Sequence, residues 1–147
     1  MQEATNFPLD IGIILREDEI IKYTFPLLKG NRVYFRGDLG SGKSTFIRTL
    51  LREHFGNPTL VVRSPTYTYF EKYGENIYHF DLYRLESIND FFLIGGSDIF
   101  DNPSTICLIE WPDVISSEYK PTLEVNIEKL SDTQRRFTFH SHRESIE

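Results

Sequence analysis

Between positions 37 and 44 the chain reads Gly37-Asp38-Leu39-Gly40-Ser41-Gly42-Lys43-Ser44, a spacing of glycines, lysine and hydroxyl suited to chemistry on phosphate. Glycines, lacking a Cβ, let consecutive main-chain NH groups wrap around phosphate oxygens. Lys43 can reach β- and γ-phosphates, Ser44 offers a hydroxyl to Mg²⁺, and Thr45 can add a hydrogen bond. A helix starting here adds the partial positive charge of its N-terminus. The candidate binding set is Asp38, Leu39, Gly40, Ser41, Gly42, Lys43, Ser44 and Thr45. The plainer alternative is a glycine turn before an ordinary helix, with Lys43 solvated. With glycine at about 7% of residues in average proteins, a chance match anywhere in so short a chain has odds below about 1%, so phosphate binding is the better reading.

Such a loop needs a carboxylate at the end of a nearby strand to hold Mg²⁺ or its water. Glu110 follows the apolar run Ile106-Cys107-Leu108-Ile109, where a central strand would deliver it to the C-terminal edge of a sheet. Asp81 ends Ile77-Tyr78-His79-Phe80 in the same manner, and spacing leaves it open between metal chemistry and a turn or cap. Ser64, Pro65 and Thr66 close another expected strand, as a polar turn or as a ligand-facing loop. Trp111 either lines the pocket or anchors the loop after the strand. His54, His79, His140 and His142 have no cysteine or carboxylate cluster at ligand spacing, and the pair His140 and His142 is expected at the surface. Cys107, the single cysteine, reads as a buried thiol. No serine sits in a nucleophile-elbow pattern, so acyl transfer has no support.

The elements that must carry these groups follow from periodicity. Val33 to Phe35 reads as a strand feeding the glycine loop, and a helix from Ser44 turns Phe46, Ile47, Leu50, Leu51 and Phe55 to one face until Gly56 stops it. Leu9 to Leu15 reads as a strand or extended arm. A helix opens at Glu17, with Pro26 kinking it or ending it early. Leu60 to Val62 is expected as a buried strand, and Thr66 to Tyr73 with Ile77 to Phe80 as a hairpin around Gly74-Glu75-Asn76. Ser87 caps a short helix through Ile94, ended by Gly95 and Gly96. Thr105 to Ile109 is a core strand, and alternation at Leu123, Val125 and Ile127 and at Phe137 and Phe139 predicts an edge hairpin.

At 147 residues the chain is expected to form one domain, 1–147. A hydrophobic fraction of 39% with 26% charged residues fits a globular protein, and no apolar run approaches the ~18 residues that span a bilayer. With no signal-peptide pattern at its N-terminus, a cytoplasmic location without membrane attachment is expected. A net charge of −6 repels phosphate polymers, which disfavours direct nucleic-acid binding but leaves a local phosphate cradle unaffected.

Four blocks together resemble the TsaE (YjeE) family, small P-loop ATPases of tRNA threonylcarbamoyladenosine biosynthesis: GDLGSGKSTF from Gly37, SPTYTYFEKY from Ser64, HFDLYRL from His79 and IEW from Ile109. The first block is generic to P-loop proteins and the other three are specific in combination. The resemblance covers roughly Glu17 to Ile115. It departs at Ser44, where the family commonly has threonine, and across Ser87 to Asp101, which matches poorly. It implies that Lys43, Asp81 and Glu110 form the catalytic set, with Ser44, Glu110 and Asp81 toward Mg²⁺, Asp81 alternatively positioning water. It also implies Thr66 in a nucleotide-responsive loop and Trp111 beside the nucleotide, while His79 and Arg84 match without a chemical step. ATP and Mg²⁺ are the implied ligands, the TsaB–TsaD complex the implied partner, and tRNA is met only through those partners. The implied fold is α/β: a P-loop NTPase-like central sheet, mostly parallel with antiparallel edge hairpins, flanked by helices. Two other readings stand beside it. One is a small-molecule kinase, which would want an arginine-bearing lid absent from the stretch between Glu86 and Thr105; the other is a nucleotide-dependent binding module without useful hydrolysis. No arginine finger is evident, so hydrolysis is expected to be slow without partners.

Overall fold

A computed structural model describes residues 12–14 and 17–142. The elements in chain order are β1 (Gly12–Ile14), a 3₁₀ helix (Glu17–Tyr23), β2 (Arg32–Arg36), α1 (Lys43–Phe55), β3 (Phe70–Tyr73) and β4 (Ile77–Asp81). There follow α2 (Ile88–Leu93), α3 (Gly96–Asp101), β5 (Ile106–Glu110), a 3₁₀ turn (Pro112–Val114), β6 (Leu123–Lys129) and β7 (Arg135–Ser141). The strands form one sheet in the order β1-β7-β6-β2-β5-β4-β3. Its centre, β6-β2-β5-β4, is parallel, while β7 and β1 on one side and β3 on the other add antiparallel pairs. This is the expected α/β architecture.

The period-two alternation of the central strands splits the core. Val33, Phe35, Ile106 and Leu108 point to the face that packs on Phe46, Ile47, Leu50 and Leu51 of α1. Tyr34, Cys107 and Ile109 point to the other face, against Phe91 of α2 and Phe100 of α3. With both faces covered, every residue of β5 is buried, as a central parallel strand requires. Burial also pushes the Cys107 thiol up to about 11, an inert structural cysteine. No helix among the described residues is long and apolar enough to cross a membrane.

Several elements depart from expectation. The first helix ends early, at Tyr23 ahead of Pro26, as one of the two expected outcomes, but it is 3₁₀ throughout. Of the strand or arm expected over Leu9 to Leu15, only Gly12–Ile14 lies within the described residues. Residues 60–62 form no strand: Val61 is 65% exposed, and Leu60 instead accepts a hydrogen bond from Arg52 Nε. Leu60 and Val62 pack against the α1-side core as single side chains, and the outer edge of β3 is left unpaired by them. The stretch Thr66 to Tyr69 turns rather than pairing, with Tyr69 at φ 71°. Helix α2 stops before Gly95 as expected, but Gly95 is the N-cap and Gly96 the first residue of α3, a second helix that the sequence did not announce. The C-terminal hairpin is not an edge, because β1 pairs with β7. Phe55 is 39% exposed, at the rim of α1, where left-handed Gly56 (φ 61°) closes the helix.

Candidate functional site

The parallel register brings the C-terminal ends of β2, β4 and β5 side by side, with Asp81 of β4 directly paired to Glu110 of β5 and Phe35 paired to Glu110. The glycine loop leaves β2 at this edge and enters α1 at Lys43. Gly37 accounts for the loop's tightness: a Cβ there would lie 2.5 Å from Ser41 Oγ and 2.6 Å from the carbonyl of Ile127. The loop, the strand ends and Arg135 enclose a cleft of about 410 Å³.

Of the sequence-selected residues, Asp38, Leu39, Gly40, Gly42, Lys43, Ser44, Thr45, Thr66, Asp81, Glu110 and Trp111 line this cleft, together with Ser64. Ser41 lies behind them, buried, its Oγ without a hydrogen-bond partner among the described residues. Gly42 has no side chain to cap α1, so the first-turn NH groups of Lys43, Ser44 and Thr45 are left for a ligand. The first helical bond runs from the Phe46 NH to the Gly42 carbonyl.

Lys43 is 5% exposed; its Nζ donates to the Gly37 carbonyl and sits 3.7 Å from the centre of the Trp111 ring. Burial pulls its pKa below the ordinary lysine value, opposed by Glu110, Asp81 and Asp38. Ser44 Oγ donates to the Glu110 carboxylate, 3.2 Å and 3.4 Å from its two oxygens. His79 Nε2 lies 2.7 Å from Glu110 Oε2, and against a carboxylate, which only accepts, this nitrogen carries the hydrogen. His79 thereby orients Glu110 from beneath, a role the sequence left unassigned. Asp81 accepts from the Tyr83 NH at 3.0 Å and from Thr66 Oγ1 at 3.3 Å, and Thr66 is in turn 2.7 Å from Ser64 Oγ. Burial raises the Asp81 pKa, and the neighbouring charge of Glu110 adds to the rise against the Tyr83 and Thr66 hydrogen bonds.

Trp111 is open, on sequence alone, between lining the pocket and anchoring the loop after the strand. It lines the cleft and packs on Tyr83 with ring centres 4.9 Å apart, on a left-handed backbone (φ 55°). A non-glycine residue held there marks local strain at the strand's exit.

Arg135 is the cleft residue that sequence reading missed. From β7 its Nε donates to the Ser41 carbonyl at 2.8 Å and its Nη2 to the Gly40 carbonyl at 3.4 Å. Because the peptide is planar and trans, holding the Ser41 carbonyl toward Arg135 points the Gly42 NH the other way. An arginine 94 positions from its partner, at the start of an ordinary alternating strand, leaves no local signal. The expectation that the histidines lack metal-site company is also corrected, because the β6–β7 register sets Glu124 opposite His140.

A triphosphate with Mg²⁺ fits this donor set. The uncapped first turn and the Cβ-intolerant loop suit phosphate oxygens, while a hydroxyl facing a carboxylate at hydrogen-bond distance is an all-oxygen pair of the kind Mg²⁺ prefers.

A family model described as "Threonylcarbamoyl adenosine biosynthesis protein TsaE" matches residues 14–137. The tRNA threonylcarbamoyladenosine biosynthesis protein TsaE of Haemophilus influenzae is 48% identical over 90 residues, 58% of this chain and 54% of that protein. This chain thus matches about half the length of that relative. The protein of the same name from Rickettsia felis is 33% identical over 132 residues, covering 84% of this chain and 75% of its own length. That of Bacillus subtilis is 33% identical over 125 residues, covering 82% and 76%. The fold is shared with a crystal structure of Bacillus subtilis YdiB at TM-score 0.65 and 24% identity, covering 93% of this chain and 88% of that one.

Proposed function

Since this chain belongs to the TsaE family of threonylcarbamoyladenosine biosynthesis proteins, we propose that it is a cytoplasmic ATPase that binds ATP with Mg²⁺ and acts as a nucleotide-dependent switch on a TsaB–TsaD complex. The observation that carries the reading is the meeting of Ser44, Glu110 and Asp81 at the mouth of a glycine loop whose helix is uncapped. ATP, rather than another nucleoside triphosphate, follows from the family.

The residues would divide the work as follows. Main-chain NH groups of the loop and of the first turn of α1 hold phosphate oxygens. Lys43 leaves the Gly37 carbonyl for the terminal phosphates; having lost hydration to burial, its cation gains more from a phosphate than a solvated lysine would. Ser44 and Glu110 would hold Mg²⁺, which neutralises phosphate charge when bound. Asp81 orients the attacking water, and its raised pKa suits it to accept a proton from that water. The chain Ser64, Thr66, Asp81 links this carboxylate to the turn bearing Tyr67, which is 79% exposed. A change at Asp81 between nucleotide states would therefore be felt at a surface a partner can touch.

A kinase reading is disfavoured because the stretch where a lid would lie folds instead into α2 and α3, with Phe91 and Phe100 in the core. The test is co-purification with TsaB and TsaD, with and without ATP, combined with ATP turnover measured alone and with the partners. Nucleotide-dependent capture with stimulated turnover is expected. Turnover unchanged by the partners, with capture indifferent to nucleotide, would overturn the switch.

A further inference from the structure

On the face of the hairpin away from the nucleotide cleft's lining, a second cluster of ligating side chains converges. Glu124 of β6 stands directly opposite His140 of β7. His142 follows two positions on, and its NH donates to the Thr122 carbonyl at 2.8 Å, so the ladder continues and both imidazoles share one face. Their ring centres are 4.3 Å apart. Each of the three residues can place one ligand atom within 4.8 Å of those of the other two.

Two details point to a ligand rather than a chance surface group. His142 Nε2 is buried and without a hydrogen-bond partner among the described residues, although it lies 3.4 Å from Glu124 Oε1. A buried nitrogen that faces a carboxylate without a hydrogen bond is incompletely satisfied. With Zn–N bonds of about 2.0–2.1 Å, neighbouring ligands of a tetrahedral site lie about 3.3–3.4 Å apart. Further, Arg36 Nε donates to Glu124 Oε2 at 3.3 Å, which fixes the carboxylate and leaves Oε1 toward the histidines. Asp113, 2.9 Å from Arg36 Nη1, offsets the guanidinium charge that would otherwise oppose a cation.

We propose that Glu124, His140 and His142 form a binding site for Zn²⁺, with the exposed side of His140 leaving a fourth position to water. Two imidazoles and one carboxylate select a borderline-soft divalent ion, unlike the all-oxygen pair of Ser44 and Glu110. Glu124 pairs with Tyr34 in the β2–β6 ladder, and Arg36 immediately precedes Gly37, so an ion here bears on the strand that carries the phosphate loop.

The test is titration of the full chain with Zn²⁺ against a chromogenic chelator, in excess Mg²⁺ so that the hard-ligand site is occupied. One equivalent per chain is expected, with affinity falling at least about tenfold in His140→Ala and in Glu124→Gln, and unchanged in His54→Ala. His140 is exposed, so His140→Ala leaves the core intact, and its thermal midpoint should lose the Zn²⁺-dependent rise of the parent chain. Failure of the parent chain to hold one equivalent, or retention of it with unaltered affinity in His140→Ala, overturns the site.

Discussion

The two halves of the cleft are built from different materials. The loop half, from Gly37 to Thr45, would offer a phosphate mostly main-chain NH groups, which no substitution outside proline can delete. The strand half offers side chains, Asp81, Glu110 and His79, all buried at 7%, 4% and 1% exposure. Main-chain donors exert no net charge and cost little when no ligand is present. Buried carboxylates cost stability whenever nothing neutralises them. Nucleotide binding should therefore reside mainly in the loop half, whereas turnover and strain of the ligand-free state should reside in the strand half.

Lys43 is the exception that would break this division, a side chain acting within the loop half. Lys43→Ala should reduce ATP turnover by on the order of 10²- to 10³-fold and abolish detectable nucleotide binding by calorimetry. Retained binding would mean that the NH groups suffice alone. Glu110→Gln should sharpen the contrast. Turnover is expected to fall about 100-fold, while affinity for a non-hydrolysable analogue changes by less than about tenfold. Equal losses in both would assign Glu110 to binding.

Asp81→Asn tests the cost of the buried charge. Turnover should fall about tenfold, yet the ligand-free protein should melt about 2–4 °C higher, the shift given by relief of about 1 kcal/mol in a chain of this size. The sign follows from the raised pKa. The folded state holds the Asp81 proton more tightly than the unfolded chain, so this group's contribution is fully present below the ordinary aspartate value of 3.8 and is lost as pH rises through the higher folded value. The asparagine variant should lose that component of the pH dependence, which melting curves across the acid range would show. The smallest effect is expected from Arg135→Met. It removes the brace on the Gly40 and Ser41 carbonyls from outside the loop and should weaken nucleotide binding about fivefold, or about 1 kcal/mol, leaving the rate at saturation little changed.

What was legible in the sequence follows the same divide. The loop half is contiguous, so residue types from Gly37 to Thr45 specify it without knowledge of the fold. The strand half is assembled from segments about thirty residues apart. Asp81 and Glu110 could be nominated because each ends an apolar run, but only the parallel register shows them paired. Arg135 arrives from β7 and Glu124 meets His140 across a hairpin, and neither contact has a sequence pattern of its own. Residues 60–62 mislead for a related reason. The β-branched Val61 and Val62 and the apolar Leu60 express a local preference, whereas pairing in a sheet is decided by contacts made elsewhere in the chain.

Trp111 is the only tryptophan in the chain, and its indole lies beneath the Lys43 ammonium at the cleft wall. A cation held against the ring perturbs its excited state, and the ammonium must leave that position for Lys43 to engage a phosphate. The protein thus contains its own optical probe: emission on selective excitation of the indole should change with occupancy of this pocket, uncontaminated by signal from any other tryptophan. Binding and release could then be timed by stopped flow without attaching a dye.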